Sequence, residues 1–302
     1  MRQRVLTTFL LATVSLVSCT PRSPGSSSAD ASIPASLDGQ ALPIESVLVA
    51  NGGSADALHS AVDVLTARCM TQHGLAYIAY PEDKFRSNPF DLNSRYGHLS
   101  IETASQFGYH NLQAKDLRKF DELIADIDAK RALISPNYND ILYGSTRADG
   151  CFPVAVAQVY GQPGGVSGID GYQQLVDLQA TGSQKASGER AVVDAMNSWS
   201  ACMADIGYTY PTIYAAKGPF PSSETDLAPP SNEERTQAIA DARCRSESRI
   251  ELILFAAESR IETSLMETNA ELVSNFKQAM NDAVIKAQLL VSGHDSPTTT
   301  ST

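Results

Sequence analysis

The chain has 302 residues, 43% of them hydrophobic, and a formal net charge of −11 at pH 7. This is an ordinary globular composition with enough apolar material for a buried core, and its acidic balance argues against nucleic acid as a partner and against direct adhesion to anionic lipid. After the first twenty residues, no apolar run is long enough to suggest a membrane span.

From its N-terminus the chain carries Arg2 and Arg4, the apolar run Val5–Val17, and the sequence Leu16-Val17-Ser18-Cys19. A short positive stretch, an apolar core too short for a comfortable span and small residues before a cut predict a secretory signal over 1–18. Leu16-Val17-Ser18-Cys19 resembles the lipobox of bacterial lipoproteins, in which the Cys sulfur is acylated and the Cys becomes the first mature residue. An ordinary signal peptide with an incidental Cys is the plainer alternative. The resemblance implies lipid on Cys19, a place on the extracytoplasmic face of the cell membrane, and no other membrane contact. Residues 19–43, rich in Ser, Pro, Ala and Gly, read as a flexible tether, about 25 Å long on average. A single folded body is expected over 44–292 and a disordered tail over 293–302.

The body is expected to be mainly helical. Ala55–His73 repeats Leu58, Val62, Leu65 and Cys69 on one side of a helix. A loop from Asn93 leads to a short helix capped by Ser100 and ended by Gly108. Ala114–Leu133 is a charged amphipathic helix with Leu117, Phe120, Leu123, Ile124 and Ile127 inward. Pro136 opens a short helix that Gly144 ends. Leu75–Tyr80 and Cys151–Val159 offer at most a minor two-stranded element. Gln162-Pro163-Gly164-Gly165 is a turn, Ile169–Gln179 a helix, and Gly188–Ile206 another, with Val192, Met196, Trp199 and Met203 on one side. Gly207–Pro230, with five prolines, is a loop.

Residues 231–292 contain neither Gly nor Pro. Ile239, Ile250, Ile261, Leu272 and Ala283 recur every eleven residues, and Leu254, Leu265, Phe276 and Ala287 follow the same step. That period is close to the free helix and predicts a straight rod, roughly 90 Å long if unbroken. Such a rod exceeds one compact body, so it either projects or breaks near Thr268-Asn269. Ser231 is placed to cap it, with Glu234 bonding back, and Gly293 to end it. Glu247, Glu251, Glu258, Glu262 and Glu271 read as its solvated face.

Apart from Cys19 there are four cysteines, which permit three pairings. A nonapeptide helps to choose: Cys69-Met-Thr-Gln-His-Gly-Leu-Ala-Tyr77 matches Cys202-Met-Ala-Asp-Ile-Gly-Tyr-Thr-Tyr210 at Cys, Met, Gly and the last Tyr. Each copy ends a helix on a left-handed Gly and holds a Cys near that end, and each half offers one further Cys downstream. Cys69 with Cys151 and Cys202 with Cys244 are therefore expected. Trp199-Ser-Ala-Cys202-Met203, Gly207-Tyr208, Ala240-Asp241-Ala-Arg-Cys244 and the long helix resemble a family of secreted lipoproteins from actinobacteria with the pattern W-x-x-C-M-x-x-x-G-[YF] and A-D-x-x-C. The likeness extends to Arg95-Tyr96-Gly97, Gly108-Tyr109 and Gly150-Cys151, and it implies architecture without a mechanism.

Candidate chemistry is sparse. His73 stands four residues after Cys69, the spacing of a Cys–His metal pair or an activated thiol, but Cys69 has an expected disulfide partner. Ser274-Asn-Phe-Lys277 has the S-x-x-K spacing of penicillin-binding enzymes without their other elements. Gly164–Gly168 is a turn and not a nucleophile elbow. Trp199, Tyr208 and Tyr210, with Tyr214 or Phe220, suit either a sugar platform or simple packing beside a staple. Asp241 suits a buried anchor better than a site acid. No enzyme, cofactor or metal is expected. The leading expectation is an accessory or interaction module of the cell envelope, with Leu265, Leu272, Phe276 and Met280 offered to an envelope protein or to a second copy. The alternative is a small-molecule or glycan-binding lipoprotein with its pocket near Trp199.

Overall fold

The computed structural model describes residues 33–50, 53–81, 95–110, 114–146, 148–220 and 226–292. The expected leader, the expected lipid site at Cys19, Gly293 and the expected tail lie outside the described residues. Within them the protein is mainly helical and no residue pairs into a strand. Cys151–Val159, offered above as a strand, is instead part of a helix, α6 (Cys151–Tyr160), which Gly150 precedes. Pro153 fits there because the first turn of a helix leaves its N–H groups unbonded anyway. Leu75–Tyr80 is irregular and makes no ladder.

The first half begins with a single turn, α1 (Glu45–Leu48), and α2 (Gly53–Gln72). The short α3 (Ile101–Phe107) opens on Ser100, which accepts from Thr103 N–H and completes a capping box. Next come α4 (Ala114–Ile134), α5 (Tyr138–Tyr143) and α6. Leu117, Phe120, Ile127 and Arg131 form the inward stripe of α4, while Leu123, expected inward, is 44% exposed because it falls off that stripe. A 3₁₀ turn (Gly165–Gly168) leads to α7 (Tyr172–Ser187) and α8 (Arg190–Asp205).

The expected rod is three helices, α9 (Asn232–Ser248), α10 (Ile250–Thr268) and α11 (Ala270–Val291). Arg249, at φ 53°, is the only non-glycine with positive φ among the described residues, and it separates α9 from α10. Asn269 (φ −114°, ψ 35°) marks the second break, at the expected place, with its side-chain amide donating to Leu265 C=O at 2.8 Å. Bent twice, the segment covers its own stripe. Helix α9 packs on α3 and α8, α10 on α7 and α8, and α11 on α2 and α6.

The proposed interaction surface is thereby corrected. Phe276 is fully buried and Met280 nearly so, together with Val273, Ala283 and Ala287, against Leu58, Ala61, Val159 and Leu175 of the first half. Leu272 and Leu265 are half-buried, and Leu272 packs against the same core. Burial of a side chain such as Phe276 contributes roughly 1.5–3 kcal/mol, so this stripe is structural. A second core gathers around Trp199, Met203, Ala238, Cys244, Ile250 and Leu254. It includes Leu37 and Leu42 from the segment read as tether, so the described part of that segment, 33–43, belongs to the packed body.

Both staples form as expected. Cys69 bonds Cys151 across 82 residues and Cys202 bonds Cys244 across 42, with Cα–Cα separations of 5.5 and 5.6 Å. The two nonapeptides end their helices in the same way. Leu75 N–H donates to Met70 C=O and Tyr208 N–H to Met203 C=O, both at 2.9 Å, around left-handed Gly74 and Gly207. These six-residue closures satisfy carbonyls that a helix end leaves free.

Candidate functional site

Helix α2 carries His59, Val62 and Asp63 on one face, α4 carries Asp128 and Arg131 three residues apart, and both spacings put neighbours side by side on a helix. These side chains, with Asp140 and Tyr143 of α5, Phe152, Val156 and Tyr160 of α6, and Tyr77 and Tyr80 of the irregular stretch Leu75–Tyr80, line a cleft of about 1250 Å³. The floor depends on a glycine. A Cβ on Gly150 would stand 2.2 Å from the carbonyl carbon of Tyr143 and 2.3 Å from the nitrogen of Gly144, so only Gly lets α6 begin directly beneath α5.

The wall is pinned by Arg131, which is 1% exposed. Its Nε and Nη2 donate to Ile78 C=O at 3.1 and 2.6 Å, its Nη1 donates to Tyr143 Oη at 3.3 Å, and the guanidinium lies 3.8 Å over the Tyr80 ring. Tyr138 holds the same segment, its hydroxyl donating to Ala76 C=O at 3.0 Å and accepting from Ile78 N–H at 2.9 Å. Tyr77 donates to Asp63 at 2.9 Å, and Tyr80 donates to Asp128. Burial, reinforced by those carboxylates, pushes both phenols above their ordinary range, so they stay protonated and donating. One oxygen of each carboxylate then remains for a donor in the cleft, and the Asp140 side chain bonds no described residue. Among the described residues three acids line the cleft with one Arg, which pairs with Asp128 at 3.5 Å, so the lining carries more negative than positive charge. It suits a ligand rich in N–H or O–H donors with apolar faces to lie on the rings.

The pocket expected near Trp199 is corrected. Trp199 is fully buried, and its indole N–H donates to Asp241 at 2.8 Å. Asp241 is an anchor, also accepting from Tyr109 Oη at 3.2 Å and Arg245 Nε at 2.8 Å. Arg245 in turn donates to Tyr96 C=O, Ile213 C=O and Glu251. Tyr210 bonds Gln237, and Phe220 stacks on Tyr109 with centroids 6.1 Å apart, so these rings pack the junction.

The expected solvated acidic face holds for Glu247 and Glu271, which are exposed, and is corrected for Glu251, Glu258 and Glu262, which are 7%, 0% and 0% exposed. Glu258 accepts from Arg95 and, at 2.7 Å, from Tyr96 Oη; Glu262 accepts from Ile44 N–H at 3.0 Å. Ser231 accepts from Glu234 N–H at 3.0 Å, as expected, but Glu234 turns away to accept from Tyr109 N–H at 2.9 Å. Gly108 allows that approach, since a Cβ there would fall 2.5 Å from the Glu234 carboxylate. Ser274 and Lys277 sit on the exposed side of α11.

The cleft was missed in sequence because its members are scattered over five segments. The one signal present was the tyrosine-rich Leu75–Tyr80 stretch after the first nonapeptide. No protein-family model, curated protein or solved structure matches the chain.

Proposed function

We propose that this protein is a small-molecule-binding protein of the cell envelope, held to the membrane by lipid on Cys19, and that its ligand occupies the cleft between α2, α4, α5 and α6. The observation that supports this reading is the cleft itself, with aromatic walls and two carboxylates, Asp63 and Asp128, that each keep one oxygen without a partner among the described residues. The role is binding and not catalysis, and the ligand is a small donor-rich molecule, neutral or positively charged. The leader pattern and the likeness to secreted lipoproteins support the location.

Calorimetric titration of the soluble body with wall-derived saccharides and with organic amines tests the reading. Saturable binding by one class is expected, weakened roughly tenfold or more in Asp63→Asn and Asp128→Asn through loss of a charge-assisted bond worth about 1.5–3 kcal/mol. No binding by either class, or binding indifferent to both substitutions, refutes it. Fluorescence of Trp199 is expected to stay unchanged on binding, because the indole is buried in the other core.

A further inference from the structure

We propose that the Cys69–Cys151 staple is a redox-gated zinc(II) site, in which reduction frees two thiolates that bind the ion together with His73. An imidazole nitrogen of His73 and the two sulfur atoms already lie within 4.8 Å of one another. His73 follows Cys69 by one helical turn, it is exposed, and its side chain bonds no described residue.

The second nonapeptide supplies the comparison. It closes its helix with the same hydrogen bonds and the same left-handed Gly, yet carries Ile206 where the first copy carries His73. The helix end therefore does not require a His, and the imidazole beside the first staple is available for chemistry. The second staple has a carboxylate instead, Glu247, 3.7 Å from Cys202.

Opening the bond leaves the sulfurs adjacent, because packing holds the two helices independently of it. Met70 of α2 and Cys151 of α6 share a buried cluster with Tyr138 and Leu142, and α2 and α6 pack along their lengths. A dithiol reductant breaks the S–S bond, becomes a disulfide itself, and leaves one proton on each of the two sulfurs. Zinc(II) then displaces both protons to form two Zn–S bonds of about 2.3 Å and one Zn–N bond of about 2.0 Å, with water in the fourth position. Two thiolates and an imidazole are a soft, nitrogen-bearing set that suits zinc and not magnesium or calcium. In the oxidised protein the sulfurs are spent on each other and the site is closed.

The test uses the soluble body, reduced with a dithiol, desalted without oxygen and titrated with cobalt(II) as the optical probe. One cobalt per chain with sulfur-to-metal charge-transfer absorption is expected, displaced by zinc with release of two protons, and none in the oxidised protein. His73→Ile, which copies the second nonapeptide, is expected to weaken cobalt binding roughly tenfold or more by removing one of three protein ligands while leaving the oxidised protein's melting temperature unchanged. Cys69→Ser/Cys151→Ser is expected to abolish the charge-transfer band although Cys202 and Cys244 remain. If reduction unfolds the chain, zinc is expected to restore helicity in the parent and not in His73→Ile. Absence of the band, an affinity indifferent to His73→Ile, or no restoration overturns the proposal.

Discussion

At the scale of single residues, buried charged groups tie distant segments together through shared partners. Asp241 takes bonds from Trp199, Tyr109 and Arg245 at once, and Arg245 spreads to three further partners. Removing one member strands the others away from water. Asp241→Ala is expected to destabilise by about 3–5 kcal/mol, read by urea denaturation, because a buried guanidinium loses its principal counter-charge. Glu262 has the opposite character. Burial, with Glu258 and Glu45 nearby, pushes its carboxyl up to about 7, against the pull of Ile44 N–H and Arg95. The folded chain then holds a proton that the unfolded chain releases near pH 4.5. Its contribution to stability is therefore complete below that pH and is lost as pH rises through 7. Glu262→Gln is expected to flatten the fall in stability between pH 5 and 8, measured by thermal melts across that range. These carboxylates were illegible in sequence because their spacing on the helix also fits a solvated face. What distinguishes them is the cation opposite, and Arg95 lies more than 150 residues from Glu258.

At the scale of elements, local signals were good wherever they depend on local chemistry. Ser100 and Ser231 cap their helices, Gly74 and Gly207 end theirs, and both cysteine pairs follow from the doubled nonapeptide. The eleven-residue period of 231–292 also holds, since Ile250, Leu254, Phe276, Ala283 and Ala287 are all buried. Continuity does not, because Arg249 adopts a conformation that side chains normally avoid, at a site with no Gly or Pro to announce it. A left-handed residue with a Cβ costs roughly 1–2 kcal/mol. Arg249→Gly is therefore expected to stabilise by about 0.5–1 kcal/mol, part of the gain being offset by unfolded-state entropy. Arg249→Val is expected to destabilise, since a branched Cβ tolerates positive φ least. Equilibrium unfolding of the two variants beside the parent checks the order. The same break separates Glu251 from the helix that carries Arg245, and the two side chains meet across it at 3.0 Å.

At the scale of the whole molecule, the chain divides into two stapled halves in sequence but not in space. Helix α11 completes the core of the first half, while Leu42 enters that of the second. Deleting residues after Asn269 removes Phe276, Met280, Ala283 and Ala287 from a core that nothing else fills. Loss of cooperative unfolding is expected, seen as a broad, shallow melt in circular dichroism, whereas a chain with a free working helix would keep its transition. The two staples are expected to differ modestly. On loop entropy, opening the 82-residue closure costs about 4.5 kcal/mol and the 42-residue closure about 3.9 kcal/mol, both upper figures. The apolar stripe of α11 was legible, but which body it covers was not, since a helix stripe carries no address. The cleft was illegible for a related reason: it exists only where α2, α4, α5 and α6 converge, and no local pattern encodes convergence.

The return of α11 to α2 also fixes the order in which the protein becomes complete. A chain made from its N-terminus presents α2 some 200 residues before α11, so Leu58 and Ala61 meet α6 first and wait for α11 to complete their surroundings. Both cysteine pairs lie upstream of that last helix and can close while it is absent. The staples therefore need nothing from α11 to hold their helices together, and this 22-residue helix completes the core around Phe276. A released chain that ends at Asn269 should accordingly carry both disulfides and be more open to protease on the side of α2 that α11 covers.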